Sequence, residues 1–270
     1  MVDKRIPTIT LLTDYGTRDG YVPSIKGVIL NINPNVQIVD ITHEIPAQDI
    51  LDASFVLRSC YSYFPPRTIH IVVVDPTVGS SRKLLLVATE NYYFIAPDNG
   101  VLSLIYEAET VSTVIELTTA HYFLNEISNT FHGRDIMAPT AAWLAKGNPV
   151  ENFGEPTQNY LKLSFPKPKM VGEGMLKGTI LHVDRFGNLI TNIKRSDYDE
   201  IRSKIPGETF KSIIGKQEIN GLKQYYAQGQ KGELLALFGS SDFLEIAQTQ
   251  GSAAKTLGAA RGAEVGILLK

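Results

Sequence analysis

The chain has 270 residues, 43% of them hydrophobic, enough to bury a substantial core in one or two domains. Its 26 lysines and arginines are balanced by 28 acids for a formal charge of −2, so no basic field is available to hold nucleic acid or an anionic membrane. The single Cys60 excludes an intramolecular disulfide, and the short apolar run after the charged Met1 to Arg5 lacks a small-residue cleavage pattern, so a cytoplasmic setting with no membrane span is expected.

The first half of the chain alternates strand and helix signals. Thr8 to Thr13 reads as a strand, Val22 to Leu30 as a helix and Val36 to Ile41 as a second strand. A helix carrying Cys60 follows, and Ile50, Ala53, Leu57 and Phe64 continue its apolar stripe at three- and four-residue spacing. A buried structural thiol is expected there rather than a nucleophile. Ile69 to Asp75 forms a third strand, in which a β-branched run ends abruptly in a carboxylate, a proline and a glycine-serine turn. Such runs mark buried parallel strands, and open α/β sheets bind ligands beyond their carboxyl ends. Leu84 to Ala96 reads as a hairpin broken at Glu90-Asn91, and Pro97-Asp98-Asn99-Gly100 as a turn. A strand near Val114 and a helix from Asp135 to Ala145 complete an α/β domain with a central, mostly parallel sheet.

Two prolines and two lysines within Ser164 to Lys169 suit an exposed, semi-extended connection. Short β-rich runs then follow at Gly178 to Val183, Leu189 to Ile193, Leu234 to Phe238 and Val265 to Leu269. The predicted organisation is an α/β domain over 1–163, a linker over 164–170 and a smaller all-β, barrel-like domain over 171–270.

Chemistry-bearing residues gather at two loops, Asp75 to Arg82 and Phe131-His132-Gly133-Arg134-Asp135. Walker, GxGxxG and HExxH signatures are missing and the five histidines are scattered, so neither a metal nor a cofactor is expected. An acid, a guanidinium and an imidazole in that setting point to an activated water. Taken singly each has a plainer reading, with Asp75 capping a turn, Arg82 a surface partner and His132 a residue at a helix start.

Five motifs in order carry a resemblance: Ile9 to Asp19 with Thr13-Asp14-Tyr15-Gly16, the Asp75 to Arg82 loop, Pro97 to Gly100, Phe131 to Asp135, and Asp184-Arg185-Phe186-Gly187-Asn188. Together they resemble the S-adenosyl-L-methionine hydroxide adenosyltransferase family, relatives of fluorinase and chlorinase, over nearly the whole chain. The resemblance implies hydrolysis of S-adenosylmethionine to adenosine and methionine by a homotrimer whose sites lie between subunits. A sulfonium leaving group needs no acid, so the catalytic task is to align and deprotonate water behind the C5′–S bond. Asp75, Arg82 and His132 are the expected catalytic set, with Asp75 holding or deprotonating the water, His132 orienting it and Arg82 supporting Asp75. Either Asp75 or His132 is able to serve as base.

Position by position, the resemblance implies that Asp14 grips the ribose diol, that Asp19 helps close the first loop, and that Asp184 pairs with the methionine ammonium. It further implies that Asn188 reads the adenine edge, that Tyr226 presents an aromatic face to adenine, and that Ser240 lies near the methionine carboxylate. Halogenating members place a tyrosine where this chain has Asp75 and a serine where it has Gly133. A carboxylate at the nucleophile site repels halide and assists water. Ser241 and Gln248 stand where halogenases carry arginines. Two alternatives are a noncatalytic sensor, which does not need Asp75, Arg82 and His132, and an adenosyl halogenase, which product analysis separates from a hydrolase.

Overall fold

The computed structural model describes residues 6–172, 174–205 and 209–269, so Met1 to Arg5 lie outside it. The chain divides into two units, Met1–Ser164 and Phe165–Lys270.

In the first unit, strands β1 (Thr8–Thr13), β2 (Gln37–Thr42), β3 (Ile69–Val73), β4 (Leu84–Thr89), β5 (Tyr93–Pro97), β6 (Val111–Leu117) and β7 (Gly154–Pro156) form one sheet. Their order is β2-β1-β3-β5-β4-β6-β7. The pairs β1–β2, β1–β3 and β3–β5 are parallel, whereas β5–β4, β4–β6 and β6–β7 are antiparallel. The expectation of a mostly parallel sheet is therefore corrected to a mixed one. The β4–β5 hairpin lies within the sheet: β5 continues the parallel set beside β3, and from β4 onward the strands alternate in direction.

Helices α1 (Tyr21–Ile32), α2 (Ile50–Cys60), α3 (Ser103–Ala108) and α4 (Ala138–Ala145) cover both faces. Ile9, Leu11, Ile71 and Val73 pack with α1 and α4, through Ile25, Ile29, Ala138 and Ala141. The alternate residues Leu12, Val72 and Val74 pack with α2 and α3, through Ala53, Leu57 and Ile105. Burial on both faces explains the unbroken apolar runs of these strands, since side chains alternate between faces and each face needs its own core. Each fully buried isoleucine or leucine contributes about 1.5–3 kcal/mol relative to exposure. At the start of α2, the Asp49 side chain accepts the Asp52 N–H at 3.0 Å and so satisfies one of the free amides of the first turn. Cys60 is half-buried, its thiol directed at the Val56 carbonyl at 3.3 Å, and burial pushes its pKa up to about 11. That suits packing, not nucleophilic attack.

The second unit contains β8 (Lys169–Val171), β9 (Met175–Val183), β10 (Leu189–Lys194), β11 (Phe210–Ile214), β12 (Gln217–Asn220), β13 (Leu222–Lys223), β14 (Leu234–Phe238), β15 (Phe243–Gln248) and β16 (Glu264–Leu269). The sheet runs β12-β11-β16-β9-β10-β15-β14-β13, with β8 also on β9. Because β12 returns close to β14, the sheet is nearly a barrel around Ile180, Leu189, Ile193, Leu244, Ile246 and Ile267. The unit is not all-β: α5 (Arg195–Lys204) and α6 (Ala253–Leu257) belong to it. Tyr198 and Ile201, spaced to share one face, are the buried residues of α5.

Candidate active site

Asp75 follows β3 directly, and its place is fixed from behind: the Asn99 side-chain amide donates to the Val74 carbonyl at 2.8 Å. Asn99 belongs to the Pro97-to-Gly100 turn, which thereby sets the end of the neighbouring strand. Thr77 approaches Asp75 Oδ1 through its backbone N–H and hydroxyl, both at 3.3 Å. Arg82 returns to the same carboxylate. Its Nε and one terminal nitrogen donate to Asp75 Oδ2 at 2.6 and 2.5 Å, with both side chains nearly buried.

The same terminal nitrogen of Arg82 lies 3.0 Å from His132 Nδ1. Arg82 has only donors, so Nδ1 accepts and the ring proton of neutral His132 sits on Nε2. The three residues therefore form a chain in the order Asp75, Arg82, His132, with the guanidinium in the middle. Burial and the Arg82 charge hold the His132 pKa below the ordinary histidine value, against the pull of Asp75, Asp135 and the Ser128 backbone. Neutral imidazole is thus favoured. The arginine's other terminal nitrogen is not used in this chain and remains a donor for a small oxygen ligand.

His132 arrives on a loop that closes against the Asp75–Arg82 turn. Gly79 has φ +81°, and a Cβ built there would stand 2.2 Å from the Asn129 carbonyl oxygen, so only glycine lets these two backbones meet. A π-helical turn, Gly133–Met137, follows His132 and runs into α4; such wide turns recur at functional sites. A Cβ on Gly133 would lie 3.0 Å from a Val73 methyl and 3.3 Å from the Tyr15 hydroxyl. Tyr15 is a site residue that sequence reasoning passed over, although it stands inside the first motif. Burial raises its pKa, and Asp14 and Asp75 add to that effect, which sets the phenol between the two acids electrostatically.

Asp14 directly follows β1 and accepts the Gln48 backbone N–H at 2.8 Å through Oδ2. Asp19 is exposed in the loop between β1 and α1 and makes no side-chain hydrogen bond among the described residues. The structure joins Asp75, Arg82 and His132 by direct contacts, with Tyr15 within electrostatic range of Asp14 and Asp75; Asp19 is not tied into this set.

Within the second unit, Asp184 organises its own turn. Oδ1 accepts the backbone N–H of Phe186 at 2.9 Å and of Asn188 at 2.8 Å, while Oδ2 accepts the Asn188 side-chain amide at 2.9 Å. Both the turn-forming reading and a free lone pair on Oδ2 are compatible with this geometry. Tyr226 is partly exposed, and its hydroxyl donates to Glu245 Oε2 at 2.7 Å. Glu245 is another residue missed from sequence. It is buried in β15 among Leu244, Ile246 and Ala247, where burial and the nearby Asp184 charge raise its pKa despite the tyrosine bond. A lone acid inside an apolar strand run was the available signal. Ser240 lies on the turn between β14 and β15, ahead of Asp242, whose N–H bonds the Gly239 carbonyl at 3.0 Å.

Among the described residues no three His, Cys, Asp or Glu side chains gather into a metal-binding group, and no helix is long and apolar enough to cross a membrane.

The fold and the Asp–Arg–His chain at the strand end define a two-unit α/β protein with a polar cluster beyond β3. The profile of the SAM hydroxide adenosyltransferase N-terminal domain matches residues 9–154, and that of the C-terminal domain matches 178–266. The chain belongs to the SAM hydroxide adenosyltransferase family. It is 36% identical over 267 residues to the (R)-S-adenosyl-L-methionine hydrolase of Methanocaldococcus jannaschii, covering 95% of this chain and 94% of that one. A fluorinase from an Actinoplanes species is more distant, 28% identical over 220 residues, with 72% of this chain and 74% of that one aligned. The crystal structure of a conserved protein from Thermotoga maritima superposes with a TM-score of 0.90 at 38% identity, covering 96% of this chain and 99% of that one.

Proposed function

We propose that this chain hydrolyses S-adenosyl-L-methionine at C5′, giving adenosine and L-methionine, with the substrate in the (R) form that its relatives' names specify. The observation that carries the chemical reading is the chain of hydrogen bonds from Asp75 through Arg82 to His132. Water attacks C5′ opposite sulfur, the C5′–S bond breaks, and its electron pair neutralises the sulfonium to a thioether. The water proton passes to Asp75 and then to solvent. Arg82 offers its remaining N–H groups to the oxygen as hydroxide character develops, and His132 keeps the guanidinium aimed. Halide is a poor nucleophile here, because it would stand beside the like charge of the Asp75 carboxylate, whereas water carries no charge.

The substrate-binding roles rest on the motifs: Asp14 and Asp19 at the ribose, Asp184 at the ammonium, Asn188 and Tyr226 at adenine, Ser240 at the carboxylate. The reaction needs no metal or cofactor in this reading, and the single cysteine suits a cytoplasmic setting. The active form is a homotrimer with sites shared between neighbours. At low S-adenosylmethionine, where Asp184→Ala subunits turn over slowly, mixing them with Asp75→Ala subunits then raises the activity above the sum of the two, whereas sites contained in one subunit would leave only that sum.

The deciding measurement is product analysis in oxygen-18 water with a chelator present. Label in the adenosine 5′-hydroxyl at undiminished rate supports the reading. Adenine, a 5′-halo product or loss of activity to the chelator refutes it.

A further inference from the structure

Asp135 has no exposed surface, yet it lies beyond the bonds that join Asp75, Arg82 and His132. Its Oδ2 accepts the Ser128 backbone N–H at 2.8 Å and an Arg134 terminal nitrogen at 3.1 Å, and its Oδ1 accepts Arg134 Nε at 2.6 Å. Its backbone carbonyl takes the Leu124 N–H at 2.9 Å. Two points of the loop that leads to His132 are therefore tied to one residue. The Ser128 backbone lies near enough to the imidazole to favour its charged form. Arg82, a donor only, takes Nδ1 as its acceptor and so sets the tautomer, while Asp135 holds the backbone that carries the ring.

We infer that Asp135 is a positioning residue for the hydrolysis: it fixes the Ser128-to-His132 backbone so that His132 presents an unprotonated Nδ1 to Arg82. This rests on the hydrolase reading above. A simple ion pair with Arg134 is an insufficient account of the acid. Arg134 is partly in water, 36% exposed, and also covers the Phe131 ring at 4.9 Å, whereas the Ser128 amide is a donor that a fully buried carboxylate alone satisfies here. The groups facing His132 are Arg82, which disfavours its protonation, and Asp75 and Asp135, which favour it, with Arg134 paired to Asp135 behind.

The test compares Asp135→Asn with Arg134→Lys in the full-length protein. Asp135→Asn is expected to lower kcat about tenfold or more with KM changed less than about twofold. Loss of a nearby negative charge also moves the acid limb of the kcat profile, and the His132 NMR titration, to lower pH. Arg134→Lys, which keeps a counter-charge beside the buried Asp135 and leaves the Ser128 bond in place, is expected to stay within about threefold of wild type. Equal losses in the two variants, or an unshifted His132 in a folded Asp135→Asn protein, would overturn the inference. Should Asp135→Asn fail to fold, nitrogen-15 histidine NMR of the wild-type protein decides: an Nε2–H tautomer with a protected Ser128 amide supports the inference, and an Nδ1–H tautomer or a freely exchanging amide overturns it. These readouts need no substrate, so they stand apart from failure of the hydrolase reading, which shows as wild-type protein that releases no adenosine.

Discussion

Arg82→Lys is the substitution that separates charge from geometry. Lysine keeps the positive charge beside Asp75 but replaces a planar fork by a single ammonium, which is unable to hold Asp75 Oδ2 through two nitrogens at 2.5 and 2.6 Å while also donating to His132 Nδ1 at 3.0 Å. A hydrogen bond to a charged group is worth about 1.5–3 kcal/mol, so loss of the bridge to His132 in the transition state lowers kcat by about 10- to 150-fold. The same loss in the folded state lowers the thermal midpoint by about 3–10 °C. Arg82→Ala goes further. It leaves Asp75, only 6% exposed, without its counter-charge, at a cost of about 3–5 kcal/mol. The assay is adenosine release at saturating S-adenosylmethionine and mildly alkaline pH, with His132 neutral in every variant, alongside a thermal melt. Wild-type kcat in a correctly folded Arg82→Lys protein, or a defect confined to KM, would refute the view that the guanidinium acts by joining the acid to the imidazole.

Three further outcomes follow from the geometry. His70 is fully buried in β3, bonds Thr10 Oγ1 at 2.7 Å, stacks on Phe94, and is held neutral by burial with its pKa lowered to about 3. The unfolded chain binds that proton near the ordinary value of about 6.5, so the stability due to this site is full above that pH and is lost as pH falls toward the folded value. Denaturant melts should show about 2 kcal/mol lost from this site between about pH 7.5 and 5, absent in His70→Phe. Gly79→Ala, forced into φ +81° against the Asn129 carbonyl, should cost about 1–3 kcal/mol and lower kcat in parallel, since the displaced loop carries His132; a melt and a turnover assay check both. Asp184→Asn should raise KM for S-adenosylmethionine about tenfold while kcat changes less than about threefold, the steady-state signature of lost binding without lost chemistry.

The parts of the fold legible in the sequence are those where one physical cause dominates. Apolar runs mark β1 and β3 because both faces of each strand are buried, and the Glu90-Asn91 break marks a hairpin. Strand direction was not legible, since side-chain alternation is the same in parallel and antiparallel sheets. Yet the hairpin itself contained the correction, because two consecutive strands joined by a tight turn add an antiparallel pair wherever they insert. Helix α5 escaped because its sequence is polar apart from Tyr198 and Ile201, and only its packing face distinguishes it from a loop.

The site divides along the same line. Strand ends and glycine turns located Asp75, Arg82 and His132, but their sequence separations hid the order in which they touch. Placing Arg82 centrally changes the expected division of labour: His132, expected to orient the water, instead meets the arginine, which a carboxylate holds from one side and an imidazole from the other. In the proposed mechanism the proton then goes to Asp75, because neutral His132 has one nitrogen bonded to a permanent donor and the other carrying hydrogen.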